Sequence, residues 1–364
     1  MRRRDFLAGV ACMTASCVDA DPRKAKLDEA AGLIEEQVRA GTVRAAALEV
    51  RQGTFRFSQA FGEAGSPDTI FLIASITKPM TAAGVMILAD RGELKLDDPL
   101  HKFIPEFTEG DRKLITIRHV LAHTSGLPDQ LPENVELRKR QAPLKEFVER
   151  AIRTPLLFKP GTEVKYQSMG ILLAAEAAER ITKQPFPQFL DKELFGPLGM
   201  KHTALGLGRF TIADTARCQA EESEPLYGGG KEDTSSWDWN SPYWRNLAAP
   251  WGGAHSTAPD IARFLEYFLA PNGRVLKKET AAAMIVNQTP GLNDQRGIGF
   301  MVAPGAFGKA CSPKTFGHSG ATGTIAWADP ASKLICVVLT TLPARVSTKL
   351  LLKPVSDLVS EAAA

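Results

Sequence analysis

The sequence predicts an α/β fold of the α+β type, in which an antiparallel sheet flanked by helices carries an inserted, mostly helical lobe. Two strand-like segments at 45–51 and 54–61 read as a hairpin, and four more follow between residues 297 and 341. The long middle of the chain is largely helical. Strands at both ends with helices between them indicate one sheet assembled from both termini. The predicted sheet lobe comprises about residues 21–75 and 292–364, and the predicted helical lobe comprises about residues 76–291.

The helices and strands are assigned from the spacing of apolar residues and from the residues that begin and end each segment. Gly41 and Gly92 end the first two helices, and Thr116 is a suitable N-cap for the third. The predicted helices are 24–40, 79–90, 117–122, 143–153, 169–182, 186–195, 258–270, 278–287 and 350–363. The predicted strands are 45–51, 54–61, 297–302, 314–318, 322–329 and 334–341.

The composition is that of an ordinary globular protein and gives no support to two classes of function. The 364 residues are 44% hydrophobic and 23% charged, with a net charge of +3 and no long basic tract. Nucleic-acid binding therefore has no electrostatic support. No apolar run approaches the roughly 20 residues that cross a bilayer, so no transmembrane segment is predicted.

Residues 1–20 have the features of an export signal. The basic segment Arg2-Arg3-Arg4 precedes Phe6-Leu7, a short apolar stretch and small residues up to Ala20. The arginine pair followed by Phe6-Leu7 is similar to a twin-arginine signal. We expect cleavage after Ala20 and a periplasmic or extracellular protein; Cys17 is a weaker alternative, as a lipid-anchor site.

The metal-ligating residue types do not form a recognisable site. His119 and His123 are four residues apart on a predicted helix, but no third ligand is suggested nearby, which favours structural histidines. Cleavage after Ala20 leaves Cys218, Cys311 and Cys336, whose scattered spacing is neither a disulfide framework nor a zinc pattern. A bridge between Cys311 and Cys336 and three free thiols both remain open. We predict no metal and no cofactor.

The stretch 71–92 contains the best candidate for a nucleophile. Ser75 and Lys78 are one helical turn apart at the start of an almost entirely apolar helix, so their side chains share a face. The positive end of the helix dipole favours developing negative charge on the Ser75 oxygen. A lysine three residues on can hold that charge or, if neutral, take the proton. The alternative is that both residues merely begin a core helix.

Two further segments carry chemistry-bearing side chains. Tyr166 follows a turn and precedes a helix; a nearby ammonium such as that of Lys78 could lower its pKa enough to make it a base. The alternative is a tyrosine that caps the core. The segment 317–321 is a strand of small residues along which a substrate could lie, with a backbone N–H that could join that of Ser75 in an oxyanion hole.

A long segment at 221–251 has no periodicity and reads as a loop. Loops of this length in compact proteins usually cover a site or are disordered. Its aromatic residues could shape specificity or pack within the helical lobe. These aromatic residues are Trp237, Trp239, Tyr243 and Trp244.

Three of these motifs, taken in order, resemble those of the serine β-lactamase and penicillin-binding-protein superfamily. They are Ser75-x-x-Lys78, Tyr166-x-Ser168 and His318-Ser319-Gly320. The set is most similar to the class C β-lactamase-related branch, which includes carboxylesterases and D-aminopeptidases. Supporting stretches that also resemble this branch are 96–99, 123–127, 160–162, 197–200 and 251–253.

The resemblance implies a β-lactamase/transpeptidase-like fold with the site between the two lobes. It implies that Ser75 is the acylated nucleophile and that Lys78 and Tyr166 share the base and proton-shuttle role. The backbone N–H groups of Ser75 and Ala321 would form the oxyanion hole. The substrate-binding residues that it implies are Ser168, His318, Ser319 and Gly320.

Two departures from the family pattern bear on the substrate. Ser168 replaces an asparagine, so one amide contact is lost. His318 replaces a lysine, and a histidine with an unperturbed pKa is only about a quarter protonated at pH 7. Recognition of an obligate substrate carboxylate should weaken. We therefore expect hydrolysis of a small ester, amide or peptide through an acyl-enzyme. A true β-lactamase, a penicillin-binding-type protein that acylates without turnover, and a non-catalytic interaction protein are the alternatives.

Overall fold

The computed structural model describes residues 21, 23–227, 229, 233–303 and 305–363. The predicted export signal at 1–20 and Cys17 lie outside these residues. The strands are β1 Ala45–Gln52, β2 Phe55–Gly62, β3 Phe71–Leu72, β4 Ala204–Leu205, β5 Ala254–Ser256, β6 Phe316–Gly320, β7 Thr324–Asp329 and β8 Leu334–Thr340. The helices are α1 Arg23–Arg39, α2 Thr77–Asp90, α3 Ile117–Leu121, α4 Asn134–Lys139, α5 Leu144–Arg153, α6 Met169–Thr182, α7 Phe186–Leu190, α8 Gly196–Leu198, α9 Pro242–Asn246, α10 Ala258–Leu269, α11 Lys278–Met284, α12 Ala344–Ser347 and α13 Lys353–Ala362.

The main sheet has five antiparallel strands in the order β2-β1-β8-β7-β6. The N-terminal hairpin joins the C-terminal strands through β1 and β8, where Leu48 is opposite Val338. The predicted fold class, an antiparallel sheet built from both ends of the chain, is confirmed. β6, which carries residues 317–320 of the segment 317–321, is the edge strand at the far side from β2. A second, three-stranded sheet has the order β3-β5-β4.

Both faces of the main sheet are covered, because alternate residues of the central strands enter different cores. Leu48 of β1 and Val338 of β8 pack in one core with residues of α1 and α13. Ala47 and Val337, one residue away on the same strands, pack in the other core with residues of α10. This alternation follows from the two-residue repeat of a strand. It also explains why every residue of β8 and all but the last residue of β1 are buried, including Glu49 and Arg51 of β1, which form an ion pair. α10 falls in the range predicted for the helical lobe.

Helix α2 runs through the interior, as its all-round apolar sequence predicts. Every residue from Thr77 to Leu88 is buried. The helix begins at Thr77 rather than at 79, directly after a 3₁₀ turn at Ala74–Ile76. Pro79 is the third residue of the helix, and it is tolerated there because the first amide groups of a helix have no intrahelical acceptor.

The predicted strand at 297–302 is not a strand. The segment makes only isolated bridges, between Arg296 and Met301 and between Met301 and Gly317. Gly299 has a φ of +76°, a left-handed conformation that interrupts an extended chain. The close approach of α2 also requires a glycine at this position, since a Cβ at Gly299 would come 2.5 Å from the Cβ of Ala82.

The remaining sequence predictions concern the loop at 221–251, the cysteines and membrane-spanning segments. The segment predicted as a loop at 221–251 contains the short helix α9, for which the Ser241 side chain accepts a capping hydrogen bond from the Trp244 amide. Cys218, Cys311 and Cys336 are free thiols. Among the described residues, no helix has the length and apolar character needed to cross a membrane.

Candidate active site

Ser75 lies in the 3₁₀ turn that joins β3 to α2, at the N-terminal end of the buried helix. Ala74, the residue before it, has a φ of +44°, an unusual conformation for a residue with a side chain. The Thr77 hydroxyl donates to the Ala74 carbonyl at 2.6 Å and accepts from the Ala254 amide at 3.1 Å. These bonds tie the turn to strand β5 and hold Ser75 half-buried while its neighbours are buried.

Lys78 is completely buried and faces Ser75. Its Nζ lies 3.0 Å from Ser75 Oγ and donates to the Trp251 carbonyl at 2.8 Å. Burial lowers the pKa of Lys78 to about 7, against the opposing effect of the Asp129 carboxylate. A substantial fraction of the side chain is therefore a neutral amine near pH 7, positioned to accept the Ser75 proton.

The aromatic ring of Tyr166 packs beside Lys78. The Lys78 Nζ is 4.7 Å from its ring centroid, and the rings of His123 and His318 lie 4.9 and 5.9 Å away. The pKa of Tyr166 is raised, by burial first and by Asp129 second, with the Ser75 hydroxyl opposing. The lowered pKa suggested from the sequence is wrong in direction, because burial and a carboxylate outside the motifs outweigh the Ser75 hydroxyl and Arg296, which lower the pKa. Tyr166 is a protonated phenol at neutral pH.

Ser168 and Asp129 form a polar pair on the wall of the site. The buried Ser168 hydroxyl donates to Asp129 Oδ1 at 2.6 Å. The hydroxyl is therefore engaged by a side chain of the protein. Asp129 was not identified from the sequence. The only sequence feature that could have indicated it is its position just after the supporting stretch 123–127.

That supporting stretch braces the segment that carries Tyr166. The Gln167 amide donates to His123 Nδ1 at 3.2 Å, and the Ser125 hydroxyl donates to Gln167 Oε1 at 2.6 Å. Burial holds the pKa of His123 well below its usual range, so the ring stays a neutral acceptor. His119 instead completes a capping box with Thr116 on α3. Within the part of the chain that the structure describes, no group of three or more His, Cys, Asp or Glu residues could hold a metal ion.

Strand β6 lies against the Ser75 turn. The Thr322 and Thr324 hydroxyls, just beyond it, donate to the Leu72 and Ile73 carbonyls at 2.7 and 3.1 Å. A Cβ at Gly320 would come 2.4 Å from the Ile73 carbonyl oxygen. The glycine therefore permits the close approach that brings Ala321 to the same cleft as Ser75.

His318 on β6 is buried and neutral. Burial, reinforced by Lys78, lowers its pKa to about 3. Its Nδ1 lies 2.6 Å from the Ser319 carbonyl oxygen, and among the described residues its Nε2 has no hydrogen-bond partner. The position occupied by a cation in the related motif is thus uncharged in this chain.

The candidate residues other than Lys78, which is completely buried, line one cleft of about 350 Å³. An aromatic wall of Tyr227, Trp239, Trp244 and Trp251 faces it, and all four come from the segment 221–251. Trp237 and Tyr243 from that segment do not line the cleft; Tyr243 donates its hydroxyl to the Ala142 carbonyl at 2.8 Å. The predicted site residues that line the cleft are Ser75, Tyr166, Ser168, His318, Ser319, Gly320 and Ala321.

Comparisons with known proteins agree on one family. The sequence model described as Beta-lactamase matches residues 30–354. Esterase EstB of Burkholderia gladioli is 35% identical over 211 residues, which are 52% of this chain and 53% of EstB. The chain therefore spans about half the length of that curated relative.

Two solved structures illustrate the similarity of the fold. The D-amino acid amidase of Ochrobactrum anthropi SV3, in complex with D-phenylalanine, has a TM-score of 0.72 at 25% identity; the match covers 92% of this chain and 98% of the amidase. A penicillin-binding protein homologue of Caulobacter crescentus has a TM-score of 0.73 at 22% identity over 94% of this chain and 96% of its own. The second likeness speaks for the fold alone.

Proposed function

This chain belongs to the Beta-lactamase family, and from that premise we propose that it is an exported serine hydrolase that cleaves a small ester or amide through an acyl-enzyme on Ser75. The observation that carries the proposal is the 3.0 Å separation of Ser75 Oγ and Lys78 Nζ. Burial of Lys78 lowers its pKa to about 7. An amine of that pKa beside a hydroxyl can act as a general base at neutral pH.

In the acylation step, Ser75 Oγ bonds to the substrate carbonyl carbon while neutral Lys78 takes the hydroxyl proton. The backbone N–H groups of Ser75 and Ala321 stabilise the oxyanion. As the carbon–oxygen or carbon–nitrogen bond breaks, the leaving alcohol or amine receives a proton. The Tyr166 phenol, which is protonated at rest, passes that proton on and is reprotonated from Lys78. Tyr166 is thus a shuttle and not the resident base.

In the deacylation step, water attacks the acyl carbon and loses its proton to the same pair of groups. The acid product leaves and the Ser75 hydroxyl is regenerated. The net reaction consumes one water molecule and releases the acid and the alcohol or amine, and Ser75, Lys78 and Tyr166 return to their starting protonation states.

The neutral state of His318 supports a substrate without an obligate carboxylate. A buried imidazole with a pKa of about 3 supplies no positive charge at neutral pH. We therefore assign β-lactam hydrolysis a secondary role relative to ester or amide hydrolysis. The names of EstB and of the D-amino acid amidase agree with such substrates.

The proposal extends to the lobes and to export. Ser75 and His318 belong to the proposed sheet lobe, 21–75 and 292–364, whereas Tyr166 belongs to the proposed helical lobe, 76–291. A cleft lined by all three supports a site between two lobes.

The pattern at 1–20, similar to a twin-arginine signal, supports a periplasmic or extracellular location.

Hydrolysis of p-nitrophenyl acetate in the presence of a chelator tests the proposal. We expect turnover by the native chain, loss in Ser75→Ala, and no loss in the control Ser66→Ala, an exposed serine. An activated fluorophosphonate should add its mass to the native chain and not to Ser75→Ala. Unchanged activity in Ser75→Ala would remove Ser75 from the mechanism. A stoichiometric burst without turnover would instead identify a protein that is acylated and does not turn over.

A further inference from the structure

A permanent positive charge lies in the cleft, on a residue that none of the motifs contains. Arg296 lines the cleft, and only 12% of its side chain is exposed. Its guanidinium carbon is 5.8 Å from the ring centroid of Tyr166. An arginine side chain stays protonated at any working pH. The site therefore holds a constant cation beside Tyr166, although the nearby His318 is neutral.

Hydrogen bonds hold the segment that carries Arg296 against the segment that carries Tyr166. The Val164 amide donates to Asn293 Oδ1 at 2.7 Å, and Asn293 Nδ2 donates to the Val164 carbonyl at 3.0 Å. The Arg296 amide donates to the Thr289 hydroxyl at 3.1 Å. The contact between the guanidinium and the phenol ring is therefore made by two segments that are bonded to each other close to both residues.

The ion pair of Arg296 with Asp294 does not cancel this charge at Tyr166. Arg296 Nη2 lies 2.6 Å from Asp294 Oδ2, and the Asp294 side chain is 36% exposed. The pKa of Tyr166 is raised by burial first and by Asp129 second, and Arg296 opposes both. Burial lowers the pKa of His123, and Arg296 is the charge that adds most to that effect. The positive charge of the guanidinium therefore reaches the aromatic groups around the nucleophile.

The proposed acylation step places negative charge on Tyr166 for a short time. Tyr166 gives its phenol proton to the leaving group before Lys78 replaces it, so the phenol oxygen takes on phenolate character. Lys78 gains and loses its own charge as it carries the proton, whereas Arg296 keeps its charge throughout. A nearby positive charge stabilises the phenolate and makes the phenol a stronger acid.

We propose that Arg296 is a positioning residue that acts through Tyr166, because its charge stabilises the phenolate that develops while Tyr166 protonates the leaving group. The inference rests on the proposed serine hydrolase and adds a residue to one of its steps. That step limits substrates whose leaving group is a strong base, such as an alkoxide, since a strong base departs slowly without a proton. Removal of the charge should therefore slow such substrates more than those with a weakly basic leaving group.

Two acetate esters with leaving groups of different basicity test the inference. Benzyl acetate has a strongly basic alkoxide as its leaving group, whereas p-nitrophenolate is a weak base that departs without a proton. Both esters form the same acetyl-enzyme, and kcat/KM reports only the steps up to its formation. The measurement is the ratio of kcat/KM for benzyl acetate to that for p-nitrophenyl acetate. It is made on the native chain, on Arg296→Gln, on Asp294→Asn and on the double variant.

The two single variants are matched, because both break the same ion pair and only Arg296→Gln removes the cation. We expect the ratio to fall about 3- to 30-fold in Arg296→Gln. This is half, on a logarithmic scale, of the effect that a neighbouring charge has on a complete proton transfer. The ratio should not fall in Asp294→Asn. It should stay low in the double variant, because the loss comes from the missing cation and not from an unpaired Asp294 carboxylate.

Each variant is measured against its own rate with p-nitrophenyl acetate, so a general loss of active protein cancels. An unchanged ratio in Arg296→Gln, an equal fall in Asp294→Asn, or recovery in the double variant overturns the inference while the hydrolase proposal stands. Hydrolysis of p-nitrophenyl acetate with no cleavage of benzyl acetate by the native chain does the same, since no basic leaving group is then protonated. Failure of the native chain to hydrolyse p-nitrophenyl acetate overturns the hydrolase proposal itself.

Discussion

Lys78 Nζ donates to the Trp251 carbonyl oxygen at 2.8 Å, and this contact links two residues that are 173 positions apart. The carbonyl fixes one direction of the amine and leaves Ser75 as its second neighbour at 3.0 Å. In its neutral form, an amine held in this way lies within hydrogen-bond distance of the hydroxyl whose proton it would accept. The pH dependence of activity should therefore report on Lys78.

We expect kcat/KM for p-nitrophenyl acetate to rise as the pH increases through about 7. The pKa of Lys78 is lowered from 10.5 to about 7 by burial, and only the neutral amine can accept the Ser75 proton. Lys78→Met should lower kcat by about 10²- to 10⁴-fold, the usual contribution of a general base. In His318→Asn the midpoint of the rise should not move, because His318 is already neutral above pH 5. A profile that is flat from pH 5 to 9 would contradict this assignment.

Replacing Asp129 by asparagine should move that rise to lower pH. The carboxylate stabilises the ammonium form of Lys78, so its removal lowers the Lys78 pKa further and frees the amine at more acidic pH. The measurement is the full pH profile of p-nitrophenyl acetate hydrolysis. Asp111→Asn, which removes the same charge at an exposed position, is the control. A shift toward higher pH would mean that Asp129 acts on the site in some other way.

Gly320→Ala should reduce activity by at least about tenfold, since small misplacements of reacting groups are costly. The added Cβ would meet the Thr324 hydroxyl at 2.3 Å and the Ile73 carbonyl oxygen at 2.4 Å. Strand β6 must then move away from the Ser75 turn. Gly65→Ala is the matched control, because its Cβ would meet nothing within 4 Å and its backbone is not left-handed. Steady-state kinetics together with thermal unfolding of both variants check the prediction.

Gly32 and Gly84, which lie inside two long helices, should respond to alanine in opposite directions. At Gly32 in α1 the new Cβ meets nothing within 4 Å, so the gain in helix propensity should stabilise the protein by about 0.5–1 kcal/mol. At Gly84 in α2 it would meet the buried Leu190 side chain at 2.5 Å, and overpacking should cost about 1–3 kcal/mol. Urea unfolding measures both. Stabilisation by Gly84→Ala would show that Leu190 can move aside.

The parts of the site that the sequence could specify are those fixed by local geometry. The spacing of Ser75 and Lys78 places both on one turn whether that turn is 3₁₀ or α-helical, and the two side chains lie 3.0 Å apart. The apolar run after Pro79 similarly specified a buried helix, since no face of it is polar. The strand at 297–302 was predicted wrongly, because its left-handed glycine serves a contact with α2 that no local pattern reveals.

The electrostatics of the site could not be read in the same way. The pKa of Tyr166 depends on its burial and on Asp129, and Asp129 comes from a loop outside the three motifs. Ser168 is predicted from its motif position to contact the substrate, and its hydroxyl donates to Asp129, a residue that no motif contains. Such effects depend on which charges the fold brings together and how far water is excluded, and neither is a property of spacing.

The pairing of β1 with β8 has a consequence for biosynthesis. The Ala45 amide donates to the Thr341 hydroxyl, a partner made 296 residues later. The hydroxyls of Thr322 and Thr324 donate hydrogen bonds to backbone carbonyls just before the turn that carries Ser75. A nascent chain still on the ribosome therefore lacks the strands that close the sheet, and contacts so distant in sequence favour slow folding. Premature termination ahead of β6 would release a polypeptide whose serine has no strand to support it.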